Sequence, residues 1–158
     1  MLKRILSTAL LFAALHMGAS AQKTGSGYDN GLGFRIDFGS GETVFGFSGK
    51  HFFTQNHAGE AQLLFGSGIT YIDLEYQYHA PIKNAAGLQW YAGVGPMFGF
   101  YSGGSDIFLR PVGGLDYKLN NAPINFSFDW RPTFRITHSS YGDQFTAGRF
   151  GLAARYAF

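Results

Sequence analysis

A base and a nucleophile stand close together at one place in this chain. His138 and Ser140 are two positions apart, and Asp143 follows shortly after. In an extended strand that spacing sends both side chains to the same side, and a serine hydroxyl within reach of an imidazole is what acyl transfer needs. A polar hairpin tip would carry the same residue types. His51, His57 and His79 are dispersed and give no metal-ligand spacing, so neither a metal nor a cofactor is expected. Gly31-Leu32-Gly33 and Gly93-Val94-Gly95 open no helix, as a phosphate-cradling loop must; inside strands such glycines relieve crowding. The largest set of chemically active groups is charged: Arg35, Asp37, Lys50, Glu60, Asp73, Glu75, Arg110, Asp116, Lys118, Asp129, Arg131, Arg135, Arg149 and Arg155. What these groups can do depends on which surface they share.

The elements that position them are strands. From Ile124 to Ile136, Ile124, Phe126, Phe128, Trp130, Pro132, Phe134 and Ile136 take one face, and Asn125, Ser127, Asp129, Arg131, Thr133 and Arg135 take the other. A helix would mix the two sets. The same alternation recurs along the chain and predicts eight strands. Short clusters such as Gly39-Ser40-Gly41, Gly66-Ser67-Gly68 and Ser102-Gly103-Gly104-Ser105 separate them at hairpin length. The fold class expected is all-β, an eight-stranded antiparallel up-and-down barrel, and the charged set falls on the face opposite the aromatics.

Composition bounds the setting. Glycine is 23 of 158 residues, aromatics are 18%, and charged residues are 14% against a usual share of about 25%. Lys3 and Arg4, the apolar stretch Ile5 to Leu15 and the small-residue box Ala19-Ser20-Ala21 have the order of a cleavable export signal. The expected divisions are therefore a signal peptide at 1–21, a polar lead-in at 22–30 and the barrel at 31–158. No later apolar run approaches the ~20 residues of a membrane helix. After residue 21 basic and acidic residues balance, which leaves no basic footprint for nucleic acid. Without cysteine there is no disulfide framework and no thiol-based metal or redox site.

Size decides which face is inside. An eight-strand barrel is only just wide enough inside for side chains, so glycines and paired charges fit its lumen and a full set of Phe, Tyr and Trp does not. The aromatic face then meets lipid, and closure pairs every backbone group without an open edge. With both termini in the periplasm, Tyr76, Tyr78, Trp90, Tyr117, Tyr156 and Phe158 gather at that end as an aromatic girdle, and Phe98, Phe100 and Phe134 band the other. The enclosed charges are expected to pair, because an unpaired buried charge is costly. They form a salt-bridged plug or, as an alternative, line a narrow ion path; eight strands leave no open porin channel.

The chain ends on Tyr156-Ala157-Phe158 behind an alternating strand, which resembles the C-terminal signal recognised by barrel-assembly machinery. Over nearly all of residues 27–158 the chain resembles small eight-stranded outer-membrane barrels of the OmpA/OmpX type. It is similar to compact Gram-negative outer-membrane β-barrel proteins in which segments like Gly31-Leu32-Gly33-Phe34-Arg35, Leu88-Gln89-Trp90-Tyr91 and Ser127-Phe128-Asp129-Trp130-Arg131-Pro132 recur. The resemblance implies the fold, a place in the cell outer membrane, and contact with outer-membrane lipid, lipopolysaccharide and the assembly machinery; it implies no activity. His138 and Ser140 also resemble the His-x-Ser arrangement of the lipid A 3-O-deacylase family, whose active site lies on the outside of an eight-stranded barrel. That resemblance implies Ser140 as nucleophile and His138 as base, although Tyr141 stands where an asparagine would complete the oxyanion site. The external connections are short, the longest at about residues 137–145, and offer little surface to a large receptor. The expectation is a monomeric barrel with a narrow, non-conducting interior and a structural or other envelope role. The barrel-surface deacylase and the ion path stand as alternatives.

Overall fold

The computed structural model describes residues 27–137 and 144–158. The export segment 1–21 and most of the lead-in lie outside the described residues. The described chain forms ten strand segments: β1 (Asn30–Gly39), β2 (Val44–Phe52), β3 (His57–Phe65), β4 (Ile69–Pro81), β5 (Leu88–Tyr101), β6 (Gly104–Lys118), β7 (Ile124–Trp130), β8 (Thr133–Arg135), β9 (Phe145–Thr146) and β10 (Arg149–Ala157). β7 and β8 are two halves of the seventh stave, and β9 and β10 are two halves of the eighth. Consecutive staves pair antiparallel, and β10 returns to pair with β1 from Gly31↔Ala157 to Gly39↔Arg149. The result is a closed eight-stranded antiparallel barrel.

The strands form where side chains alternate between two environments. In β7 every odd residue is buried and every even one exposed, so Asn125, Ser127 and Asp129 point in while Phe126, Phe128 and Trp130 point out. A one-residue slip would exchange the two sets, which is what pins the register. Between β5 and β6 only Ser102 and Gly103 remain to turn the chain, and Gly103 adopts φ 103°, a conformation open to glycine at little cost.

The expected seventh strand is interrupted at Arg131 and Pro132, and the interruption has a physical cause. Pro132 has no N–H to offer a neighbouring strand, and it is buried at the break rather than lying on the outward face that the alternation predicts. Trp130 pairs with Phe150, but Thr133 pairs with Thr146, so the eighth stave carries one residue more than its partner across this gap. That is a β-bulge between β9 and β10. The Arg131 amide donates to the Arg149 carbonyl at 2.9 Å, and the Trp130 indole donates to Ala147 at 2.6 Å. The extra residue shifts the pleat, so that Phe145 points outward although it is an odd number of positions from the outward Leu152. On its other side the seventh stave keeps an unbroken register with β6.

Inside, the barrel is built in three tiers. At the termini end Tyr28, Phe52, Ala58 and Ala157 close the lumen with an apolar cluster. The middle is polar and ionic. At the opposite end Val44, Leu64, Met97 and Phe108 turn inward and are buried.

Closure at the β1–β10 seam is directly testable, because the chain has no cysteine of its own. Ile36 faces Leu152 across the seam, at a Cα separation typical of directly opposed residues and within reach of a disulfide. The pair Ile36→Cys with Leu152→Cys should cross-link under mild oxidation and migrate as a ring on a non-reducing gel. Ile36→Cys with Phe128→Cys, one strand further away, should not.

Candidate functional site

The polar face of every stave meets in the middle of the barrel, and there the charges form a lattice. Arg35, Lys50, Arg110, Arg131 and Arg155 stand with Asp37, Glu60, Asp73, Glu75, Asp116 and Asp129, none more than 4% exposed. Arg35 projects from β1 and reaches Asp37 by its Nε at 2.8 Å and Asp129 on β7 by Nη2 at 2.6 Å. Asp129 also accepts from Arg131 and from the Tyr91 hydroxyl. Arg131 continues across the lumen to Glu75 on β4 at 3.0 Å and to the Gln62 side-chain carbonyl at 3.1 Å. Arg110 joins Asp37 and Asp73, both at 2.7 Å.

Nearer the termini Glu60 gathers donors from five staves. It accepts from Arg155 at 2.5 Å, Ser48 at 2.8 Å, Gln77 at 3.0 Å, Gln62 at 3.2 Å, Lys50 at 3.3 Å and Arg35 at 3.4 Å. Arg155 spends its remaining donors on Ser48, Asn125 and Ser127. Lys50 also pairs with Asp116 at 3.0 Å and lies 4.6 Å above the Tyr91 ring. Below this, His79 stacks on Tyr91 at 4.8 Å, and Tyr28 donates to Asp116 at 3.1 Å. Burial, reinforced by the Asp116 carboxylate, pushes the Tyr28 phenol well above its ordinary pKa, which keeps it a donor. Such cross-linking is what groups taken out of water require: each ion needs an opposite charge and further hydrogen bonds to offset its desolvation. Gly151 makes room for it. A Cβ there would fall on the Arg35 guanidinium and the Asp129 carboxylate.

Three of the charged residues expected in this lattice stand apart from it. Lys118 turns to the rim, where its ammonium donates to the Leu119 and Ala122 carbonyls at 2.7 and 2.9 Å and closes the β6–β7 turn. Arg149 donates to the Ser40 and Glu42 carbonyls at the opposite mouth. Arg135 lies in the same mouth, 3.9 Å from Asp106 and over the Phe108 ring. In each case the residue lies at a strand end, where alternation no longer specifies direction. Conversely, Tyr28, Tyr91 and Asn125 belong to the lattice without being expected as part of it. An aromatic on a face otherwise made of Gln and Gly was the available sign for Tyr91; Tyr28 precedes the alternating region and gave none.

On the outer wall Tyr76, Tyr78, Trp90, Tyr117, Tyr156 and Phe158 are all exposed at the termini end. Tyr78 lies beside Trp90 and Tyr156 beside Phe158, each pair of rings 5.9 Å apart. His57 stacks on Tyr76 and His51 contacts Asn30, so both are tied to the wall. Among the described residues no cluster of His, Asp and Glu is arranged to hold a metal ion. His138 and Ser140 lie outside the described residues.

A closed antiparallel barrel of eight staves with an ion-paired lumen is therefore the class of protein that fold and interior define. Among solved structures the fold is similar to the crystal structure of Neisserial surface protein A (NspA), at a TM-score of 0.56 and 12% sequence identity, covering 82% of this chain and 94% of that one. At that identity the likeness is one of fold. No protein-family description matches the chain, and no curated protein matches it by sequence.

Asp129 joins β1, β5 and the seventh stave through one carboxylate, so its neutralisation should be felt globally. Asp129→Asn leaves two buried guanidiniums short of an anion and is expected to cost about 3–5 kcal/mol in denaturant unfolding from micelles. A loss below about 1 kcal/mol would mean that water screens the lattice.

Proposed function

We propose that this chain is an integral β-barrel of the Gram-negative outer membrane, of the small OmpA/OmpX type. In this reading it is exported by a cleaved signal at 1–21 and assembled through its Tyr156-Ala157-Phe158 end. It serves the envelope structurally, with an occluded interior. The observation that carries the reading is the inversion of the barrel wall. Thirty large apolar side chains of the described residues are exposed on the outside, from Leu32 at 62% and Phe34 at 68% to Trp130 at 49%, while the ionised groups are enclosed. Water-soluble monomers rarely present contiguous apolar surface beyond a few hundred Å², and a bilayer covers such a wall without cost. Strands of nine residues or more match the ~9–11 that a tilted strand needs to cross. The exposed aromatics at the termini end suit a periplasmic interface.

The lattice supports the reading of a non-conducting interior. A hydrated ion moving along the axis would have to break Arg131–Glu75 and Arg110–Asp73, which cross the lumen. In planar bilayers the purified protein should show no discrete conductance steps, and stepwise currents altered by Arg131→Ala would establish the ion-path alternative instead.

The location is checked by fractionation with outer membrane and by a shift in gel mobility on boiling; recovery in the soluble periplasm would overturn it. Phe128→Arg, which turns a cation toward lipid near the middle of the wall, should lower folding stability in bilayers by roughly 2–4 kcal/mol.

A further inference from the structure

The mouth opposite the termini holds a cavity of about 270 Å³ above the ion lattice. Its wall is apolar on one side, where Leu64, Tyr71, Met97 and Phe108 line it, and cationic on the other, where Arg110, Arg135 and Arg149 do. One feature sets Arg149 apart from the arginines below. Arg149 is held by the Ser40 and Glu42 carbonyls, and no carboxylate of the described residues lies within ion-pair distance of it. Arg110 forms the floor and is 1% exposed. Its two terminal nitrogens are taken by Asp37 and Asp73, so it closes the cavity from below with its charge already paired.

Among the described residues the nearby acids leave Arg149 without an ion pair. Glu42 turns its carboxylate to the Ser67 amide on the neighbouring turn. Asp106 accepts from the Thr137 hydroxyl at 2.7 Å and stands 3.9 Å from Arg135. A donor-rich side facing an apolar, partly aromatic side selects a ligand with one anionic head and a compact apolar body. The volume accommodates a single aromatic ring with its carboxylate.

We propose that this mouth is a binding site for a small amphipathic monoanion, an aromatic or short-chain carboxylate taken from the aqueous phase. Its head is held by Arg149 and Arg135, and its body lies against Phe108, Tyr71 and Leu64. The site lies above the plug, so it requires no conduction and is independent of the structural role.

Benzoate is the probe, with benzyl alcohol as the neutral analogue and inorganic phosphate as the anion without a body. Titrated against the folded barrel in uncharged detergent, with empty micelles subtracted, benzoate should bind saturably with one site, and both comparison ligands at least tenfold more weakly. Arg149→Gln removes a charged donor and should weaken benzoate about tenfold or more. Thr146→Trp fills the cavity from the half-buried lining without touching a charge, and should abolish binding. The gel shift on boiling reports whether each variant folds; should Arg149→Gln fail to fold, Thr146→Trp decides. The proposal is overturned if benzoate does not saturate, if benzyl alcohol binds equally well, or if a folded Thr146→Trp binds benzoate as the parent does. A competing arm with vesicles containing phosphatidic acid separates sources: displacement of benzoate by lipid would mean that the mouth takes a lipid headgroup, contrary to the proposal.

Discussion

Everything in this barrel depends on how five cations and six carboxylates share a lumen that admits little else. The lattice from Lys50 to Arg110 replaces the apolar core of a soluble domain, and its members sit on every stave that contributes a polar face. Glu60 shows the logic in one residue: six donors from β1, β2, β3, β4 and β10 converge on two oxygens. Such a group holds strands in register as well as in contact, because a slip of one residue would turn it out of the lumen. The apolar side chains are thereby free to form the outer wall.

The two ends of the barrel resolve the same constraint differently. At the termini end an aromatic cluster of Tyr28, Phe52, His79 and Tyr91 caps the lattice. At the other end the bulge between β9 and β10 and the interruption at Pro132 loosen the wall just where Arg135 and Arg149 enter the mouth. There a cavity takes the place of a plug. Bulges often mark sites where a strand re-aims a side chain, and here the shift sets the cationic side of that cavity.

Much of this was legible in the residue order. Period-two alternation with short turns carried the eight staves, and the width of an eight-strand barrel was enough to decide that Phe, Tyr and Trp face out. Departures cluster where that periodicity has no hold. Lys118 and Arg149, at strand ends, are captured by backbone carbonyls rather than by carboxylates. The bulge at Ala147 to Arg149 adds one residue to a strand whose pattern reads equally well without it. Inward Leu64 sits beside outward Leu63 and Phe65, so a run of apolar residues hid an inner one. The cavity was illegible for that reason: its apolar wall comes from single residues at the ends of several strands, brought together only by closure.

The inversion of the wall has a direct reporter in the native chain, whose two tryptophans, Trp90 and Trp130, both point outward and are exposed. The decisive measurement is tryptophan fluorescence of the barrel folded into bilayers of brominated phospholipid, compared with quenching by aqueous iodide. The account predicts strong quenching by the brominated acyl chains and little by iodide. Emission untouched by brominated lipid but quenched by iodide would contradict it, because the aromatic wall would then face water.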